Sequence, residues 1–308
     1  MPILTAMLPF RNLSVDVETP LDLVAAHAGL ARAGIEPLYD IVAGASAAPC
    51  RLVHRDAGPA AVRRRGRDLV VDAPVALLGA GEPLFDPLTT LMERELNLAG
   101  GASMVAAGVA LPGGAVVLFG PSGSGKTSTA LALCSRFDGR LVGGDRCVFG
   151  YADGCVQAVA GSRAVLARPD ALRRNVPEFA ADLPTQAGPH WRKHRLSRGV
   201  AIAGRPVQVR SVCFVTVDDR VPLSYGPADP ARARYLLHEN ASRLVRASAA
   251  AFLSADGRSP LGWLPSLDTE ACHRSRVRLV EALAGAALDV CGPQADVAEV
   301  VAGTVPGA

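Results

Sequence analysis

Two periodicities take turns along this chain. Over Pro20–Ala31 apolar residues recur at helical spacing, with Leu21, Val24, Ala25 and Leu30 on one face, which predicts a helix. Arg51–Arg55 and Asp68–Asp72 are short apolar runs that predict strands. The turn-rich Asp56–Pro59 and the basic Arg63–Arg67 separate them. Helical spacing returns over Phe85–Leu98, where Asp86 and Pro87 make an N-cap and first-turn pair. Two strands follow, roughly Ser103–Leu111 and Ala115–Phe119, turned at Pro112-Gly113-Gly114. A helix over Thr127–Arg136 leads to Arg140–Asp145, a short buried strand that ends in a carboxylate. Cys147–Tyr151 and Cys155–Val159 read as a hairpin, and Val207–Val217, inside Pro206–Asp218, as a long strand. Ala231–Leu253 and Cys272–Ala287 read as helices, residues 168–200 as an irregular substrate loop, and Asp296–Ala308 as a fraying tail. There is no internal repeat and no heptad run.

Strands and helices that alternate in this way predict an α/β fold. We place a smaller N-terminal α/β region at residues 1–95, with a role in substrate recognition, and the main domain at 96–308. Composition supports a sizeable core, since 49% of residues are hydrophobic and only 20% are charged. A net charge of +3 gives no electrostatic footprint for nucleic acid. Leu96–Gly125 carries no charge, yet Pro112-Gly113-Gly114 interrupts it, so we expect no membrane span. The N-terminus lacks the basic and apolar regions of a signal peptide, and seven scattered cysteines without C-x-x-C suit reduced thiols, so a cytoplasmic location is expected.

The chemistry concentrates at residues 120–127, Gly-Pro-Ser-Gly-Ser-Gly-Lys-Thr, a complete G-x-x-x-x-G-K-[ST] between an apolar strand and a helix. In this context Gly120, Ser122, Gly123, Ser124, Gly125, Lys126, Thr127 and Ser128 are expected to hold a nucleotide, ATP, by their backbone amides. Lys126 is expected to reach the β/γ-phosphates, and the Thr127 hydroxyl to hold Mg²⁺. Of 32 basic residues only Lys126 and Lys193 are lysine. A lysine kept where arginine dominates marks a need for a compact ammonium, which makes Lys193 a second candidate. Asp145 is the expected metal carboxylate and Asp218-Asp219, after the apolar strand, its rival. Arg163, Arg168, Lys193 and Arg195 are candidates for a phosphate clamp, and His190 or His194 for a general base. Cys272-His273 lacks metal-ligand spacing, and Ser122 and Ser124 lack a nucleophile elbow.

From about residue 100 to 217 the chain resembles the catalytic domain of HPr kinase/phosphorylase, and more so the related kinases of peptide-modifying gene clusters. Three features carry this: the strand-turn-strand entering Gly-Pro-Ser-Gly-Ser-Gly-Lys-Thr-Ser, the strand Gly139–Arg146, and Arg163–Asp170. The basic turn Lys193–Arg195 before the long strand is also similar to a family segment. The resemblance implies a P-loop core of the HPr-kinase/PEP-carboxykinase type with a mixed sheet. It also implies transfer of the γ-phosphate of ATP, with Mg²⁺, to a hydroxyl, here a serine of a peptide or small protein. Lys126, Asp145, Arg163 and Lys193 would be the catalytic set, Thr127 and Asp145 the metal ligands, and the assembly a homo-oligomer. The chain departs from the family twice, at Val105, where a histidine is usual, and at Gly144, where the first of two aspartates is usual. A small-molecule hydroxyl kinase, a nucleotide-binding regulatory protein without turnover, and a nucleotidyl transferase are the alternatives.

Overall fold

The computed structural model describes residues 3–8, 13–32, 38–44, 48–152, 154–163, 165–180, 194–196, 200–247 and 250–307. In chain order they form β1 (Ile3–Leu8), β2 (Leu13–Glu18), α1 (Leu23–Arg32), β3 (Asp40–Ala43), β4 (Arg51–Arg55), β5 (Ala61–Arg65), β6 (Asp68–Asp72), α2 (Val75–Leu78) and α3 (Phe85–Leu98). Next come β7 (Gly101–Met104), β8 (Ala107–Leu111), β9 (Gly114–Phe119), α4 (Lys126–Arg136), β10 (Arg140–Gly143), β11 (Cys147–Ala152), β12 (Cys155–Gly161), β13 (Leu166–Ala167) and α5 (Pro169–Asn175). The chain closes with β14 (His194–Arg195), β15 (Val207–Val217), β16 (Ser224–Pro227), α6 (Pro230–Arg246), β17 (Ala251–Leu253), β18 (Pro260–Trp263), α7 (Glu270–Ala284), β19 (Ala287–Gly292) and α8 (Gln294–Gly303). Two units result, Met1–Ala102 with Ala241–Arg276, and Ser103–Asn240 with Val277–Ala308. The first unit thus runs past residue 95 and takes in a later segment. No helix among the described residues is long and apolar enough to cross a membrane.

The first unit is built on a mixed sheet in the order β3-β1-β2-β4-β6-β5. Val15, Val17, Leu52, Leu69 and Val71 are fully buried in it, as are Leu88 and Leu91 of α3. Part of the basic stretch 63–67 is itself strand: Ala61–Arg65 pairs with β6 as the sheet's last strand. Its arginines are exposed, as an edge requires, because charge blunts pairing with another chain. The returning segment is fastened to α3 through Arg276, a fully buried side chain. Its Nη1 donates to Asn97 Oδ1 at 2.7 Å and its Nη2 to Asp268 Oδ2 at 2.7 Å. Arg246 Nε donates to that same oxygen at 3.3 Å.

The second unit has a nine-stranded mixed sheet along β10-β8-β9-β15-β12-β11-β7, with β19 branching from β15 and β16 pairing β19. β15 lies parallel to both β9 and β19. Flanked so, it carries five consecutive buried residues, Ser211–Val215, rather than an alternating pattern. Val116, Leu118, Cys213 and Val215 pack with Leu131 and Leu133 of α4 and Val297 and Val301 of α8. Phe119 and Phe214 take the alternate positions, their rings 5.9 Å apart. Four expectations change here. The strand expected over Ser103–Leu111 breaks at Val105, whose N–H and C=O both bond the Asn240 side chain, at 2.8 and 3.0 Å. The helix expected to Leu253 stops at Arg246, where Ala247 turns left-handed (φ 48°), and β17 follows. Residues 169–175 of the expected loop are helical; residues 181–193 lie outside the described residues. The tail is not frayed, because Val297, Ala298, Val301 and Ala302 bury one face of α8. The Pro306 carbonyl also sits where any Cβ on Gly113 would have to go, which ties the chain end to the β8–β9 turn.

Candidate functional site

β9 delivers the chain to the Gly120–Gly125 loop, and α4 begins at Lys126. Three glycines hold left-handed backbone, Gly120 at φ 145°, Gly123 at 89° and Gly125 at 94°. Two of them also have no room for a side chain. A Cβ on Gly120 would lie 2.5 Å from Ser124 Oγ and 2.9 Å from the Val215 carbonyl. One on Gly125 would run into Val217 Cγ2. The end of β15 is also bonded to the loop, since Val217 N–H donates to the Ser124 carbonyl at 2.9 Å. The loop is therefore fixed on two sides by strands that the apolar pattern alone built.

Gly125 is the N-cap of α4 and no side chain caps the helix. The first intrahelical bond is from Thr129 N–H to the Gly125 carbonyl, which leaves the preceding amides without a helical partner. Ser128 Oγ donates to the same carbonyl at 2.9 Å, so Ser128 offers an incoming group its amide rather than its hydroxyl. The buried Lys126 ammonium folds back over the loop, donating to the Gly120 carbonyl at 2.8 Å and the Pro121 carbonyl at 2.9 Å. Ser122 and Gly123 are exposed and Thr127 is half-buried. Ser124 Oγ is buried and has no hydrogen-bond partner among the described residues. Uncapped amides, an ammonium and a cradle closed to side chains suit an anion of phosphate size.

Asp145 follows β10, which pairs β8, which in turn pairs β9. The two antiparallel pairings bring the ends of β10 and β9 to one edge of the sheet. The turn is held by Ser162, whose Oγ accepts from the Asp145 and Arg146 amides at 3.0 and 3.1 Å. Gly143 and Gly161 pack backbone to backbone, so neither has room for a side chain. The Asp145 carboxylate is exposed, and so is the next candidate, Arg163, directly after Ser162. Arg168 comes closer to the loop: its Nη1 lies 3.6 Å from where a Cβ on Gly123 would sit. Lys193 and His190 lie outside the described residues; Arg195 is exposed and pairs with Leu166.

The rival carboxylates continue β15. Arg220 binds Asp218 with Nε and Nη2, both at 2.9 Å, and these bonds hold the carboxyl down to about 2. Asp219 Oδ1 accepts the Gln294 amide at 3.4 Å, and Gln294 Nε2 donates to Thr129 Oγ1 at 3.1 Å. This link from β15 through α8 to α4 has no motif in the sequence, since glutamine at a helix start is unremarkable. Among the other histidines, His54 is buried between Thr19 Oγ1 and the Ala73 carbonyl, which is a structural placement. No cluster of three or more metal-ligating side chains occurs among the described residues. Burial raises the thiols of Cys50 and Cys134 to about 12 and that of Cys213 to about 11, which leaves them unreactive.

No family model and no curated protein matches the chain. Among solved structures it is similar to the Hpr(Ser) kinase/phosphatase from Coxiella burnetii, at 14% identity over 41% of this chain and 77% of that one, with a TM-score of 0.25. At that level the likeness carries no functional argument, and the residues must supply it.

Proposed function

We propose that the second unit is a phosphotransferase that binds ATP on the Gly120–Thr127 loop and moves the γ-phosphate to a hydroxyl, that of a serine in a peptide or small protein. One observation carries the reading. The Lys126 ammonium lies over a loop that ends in an uncapped eleven-residue helix, with glycine required at both ends of the turn. Phosphate oxygens are stronger acceptors for the ammonium than two peptide carbonyls, so Lys126 exchanges those partners for the phosphate chain. The amides at the start of α4 then face the remaining charge.

The oxygens of Thr127 and Asp145 are hard donors of the type Mg²⁺ takes, and they would hold it. When bound, that ion supplies neutralisation of charge on the phosphate oxygens. Asp145 is taken as the metal carboxylate because its strand, β10, runs alongside β8 and β9 to the same end of the sheet as the loop; of the rival pair, Asp218 binds Arg220 and Asp219 accepts the Gln294 amide. In the transfer, the acceptor oxygen bonds to phosphorus and gives up its proton to solvent, while the bridging oxygen leaves with ADP.

A second reading, a nucleotide-binding regulatory protein, is favoured by Gly144, which leaves the turn after β10 with one carboxylate. Transfer of labelled phosphate from ATP separates the two. For the kinase, Asp145→Asn abolishes transfer while nucleotide affinity survives. A parent that binds ATP but never turns it over, and gains hydrolysis on Gly144→Asp, favours the regulatory reading. Calorimetry with no heat for ATP or GTP plus magnesium rejects both. The mass added to the acceptor tells phosphate from a nucleotide, and a metabolite acceptor from a peptide.

A further inference from the structure

The geometry points to Arg168 as the group that recognises the outermost phosphate of the nucleotide, and so sets a preference for triphosphate over diphosphate; this rests on the nucleotide reading above. Around the point where a Cβ on Gly123 would sit, Arg168 Nη1, at 3.6 Å, is the one neighbour within 4 Å among the described residues, adjoining residues of the chain apart. A guanidinium thus stands beside the loop at Gly123. Among the described residues this guanidinium has no hydrogen bond or ion pair. The nearby Asp170 carboxylate is taken by Arg173 at 3.3 Å.

A half-buried arginine without an acceptor is unusual, because its five donors fit a planar or tetrahedral oxyanion. Its backbone is also well fixed. Arg168 is the N-cap of α5, its carbonyl accepts the Leu172 amide at 3.1 Å, and Ala167 and Leu172 are buried against α4. The same loop holds a second unanswered polar group, Ser124 Oγ, buried and without a partner among the described residues. The donors therefore fall into two sets. Lys126 and the α4 amides serve the phosphate enclosed by the loop, and Arg168 meets what projects beyond Gly123. Of the other arginine candidates, Arg163 directly follows Ser162, which holds the turn at Asp145, and Arg195 pairs with Leu166.

Calorimetric titration of the intact chain with ADP and with ATP, each with magnesium, tests this. The parent is expected to bind ATP about tenfold or more tighter than ADP, as one charge-assisted pair allows. Arg168→Ala is expected to bring ATP down to the ADP affinity while ADP changes less than about twofold. Arg168→Lys, which keeps the charge without the fork, is read in the same way and serves if the alanine variant does not fold. A variant that keeps the parent's ATP-to-ADP ratio overturns the assignment, and so does one that weakens both nucleotides equally. A parent that binds neither nucleotide overturns the nucleotide reading itself, which is a different result.

Discussion

At Ser124 a hydroxyl is buried without a partner among the described residues, and that position sets a measurable sign. An unsatisfied buried polar atom costs about 1–3 kcal/mol, so Ser124→Ala should leave the unliganded protein as stable or up to about 1 kcal/mol more stable in urea unfolding. A clear loss would mean that the hydroxyl is bonded after all. Gly125 gives the opposite sign, because an alanine there meets Val217 and keeps an unfavourable φ of 94°. Gly125→Ala should cost about 2–4 kcal/mol. Gly154→Ala, at φ 75° in open space, is the matched control, at about 1 kcal/mol. The motif made residues 120–127 legible at this scale, since each of its residue types serves the backbone directly. Arg168 was one arginine among several in the sequence, because nothing local says which of them a fold will leave without a carboxylate.

Strands and helices whose apolar pattern was carried by their own residues came out at their expected bounds, as with β4, β6, α3 and β15. Those set by a distant partner did not. β5 needs β6 beside it before its arginines make sense as an edge, and β7 ends where Asn240, far along the chain, binds Val105. The Arg276–Asp268 pair is of the same kind and gives a pH prediction. Burial pushes the Asp268 carboxyl up, but the bonds and charges of Arg276 and Arg246 outweigh it and leave the pKa lowered. A carboxyl with a lower pKa folded than unfolded stabilises the fold above its unfolded value, near 4, and that support is lost as pH falls through the folded value. Stability should therefore drop as pH falls below the unfolded value, and Asp268→Asn should flatten that slope in acid titrations followed by circular dichroism. At neutral pH the same variant should lose about 2 kcal/mol or more, because it leaves the buried Arg276 without its counter-ion. An unchanged acid slope would assign the acid sensitivity to other groups.

For the molecule as a whole, an α/β fold could be read from alternating patterns and a mixed sheet was implied by the resemblance, whereas the return of residues 241–276 to the first unit could not be read. Hydrophobic periodicity says which face is buried but not which unit buries it. The returning segment supplies β17, β18 and the fully buried Arg276, so a fragment of residues 1–102 should stay unfolded, with poor amide dispersion in NMR. Cooperative unfolding by that fragment would contradict the discontinuous unit. The reach of β15 past the sheet has its own outcome. In a trans peptide the C=O and the following N–H point in opposite directions. Because Val217 holds the Ser124 carbonyl, the Gly125 N–H is turned away from β15. The aim of that donor is a by-product of strand pairing, settled before any visitor arrives. Shortening β15 by one residue should let the peptide swing and blunt the welcome for negative charge, with every side chain of the turn untouched.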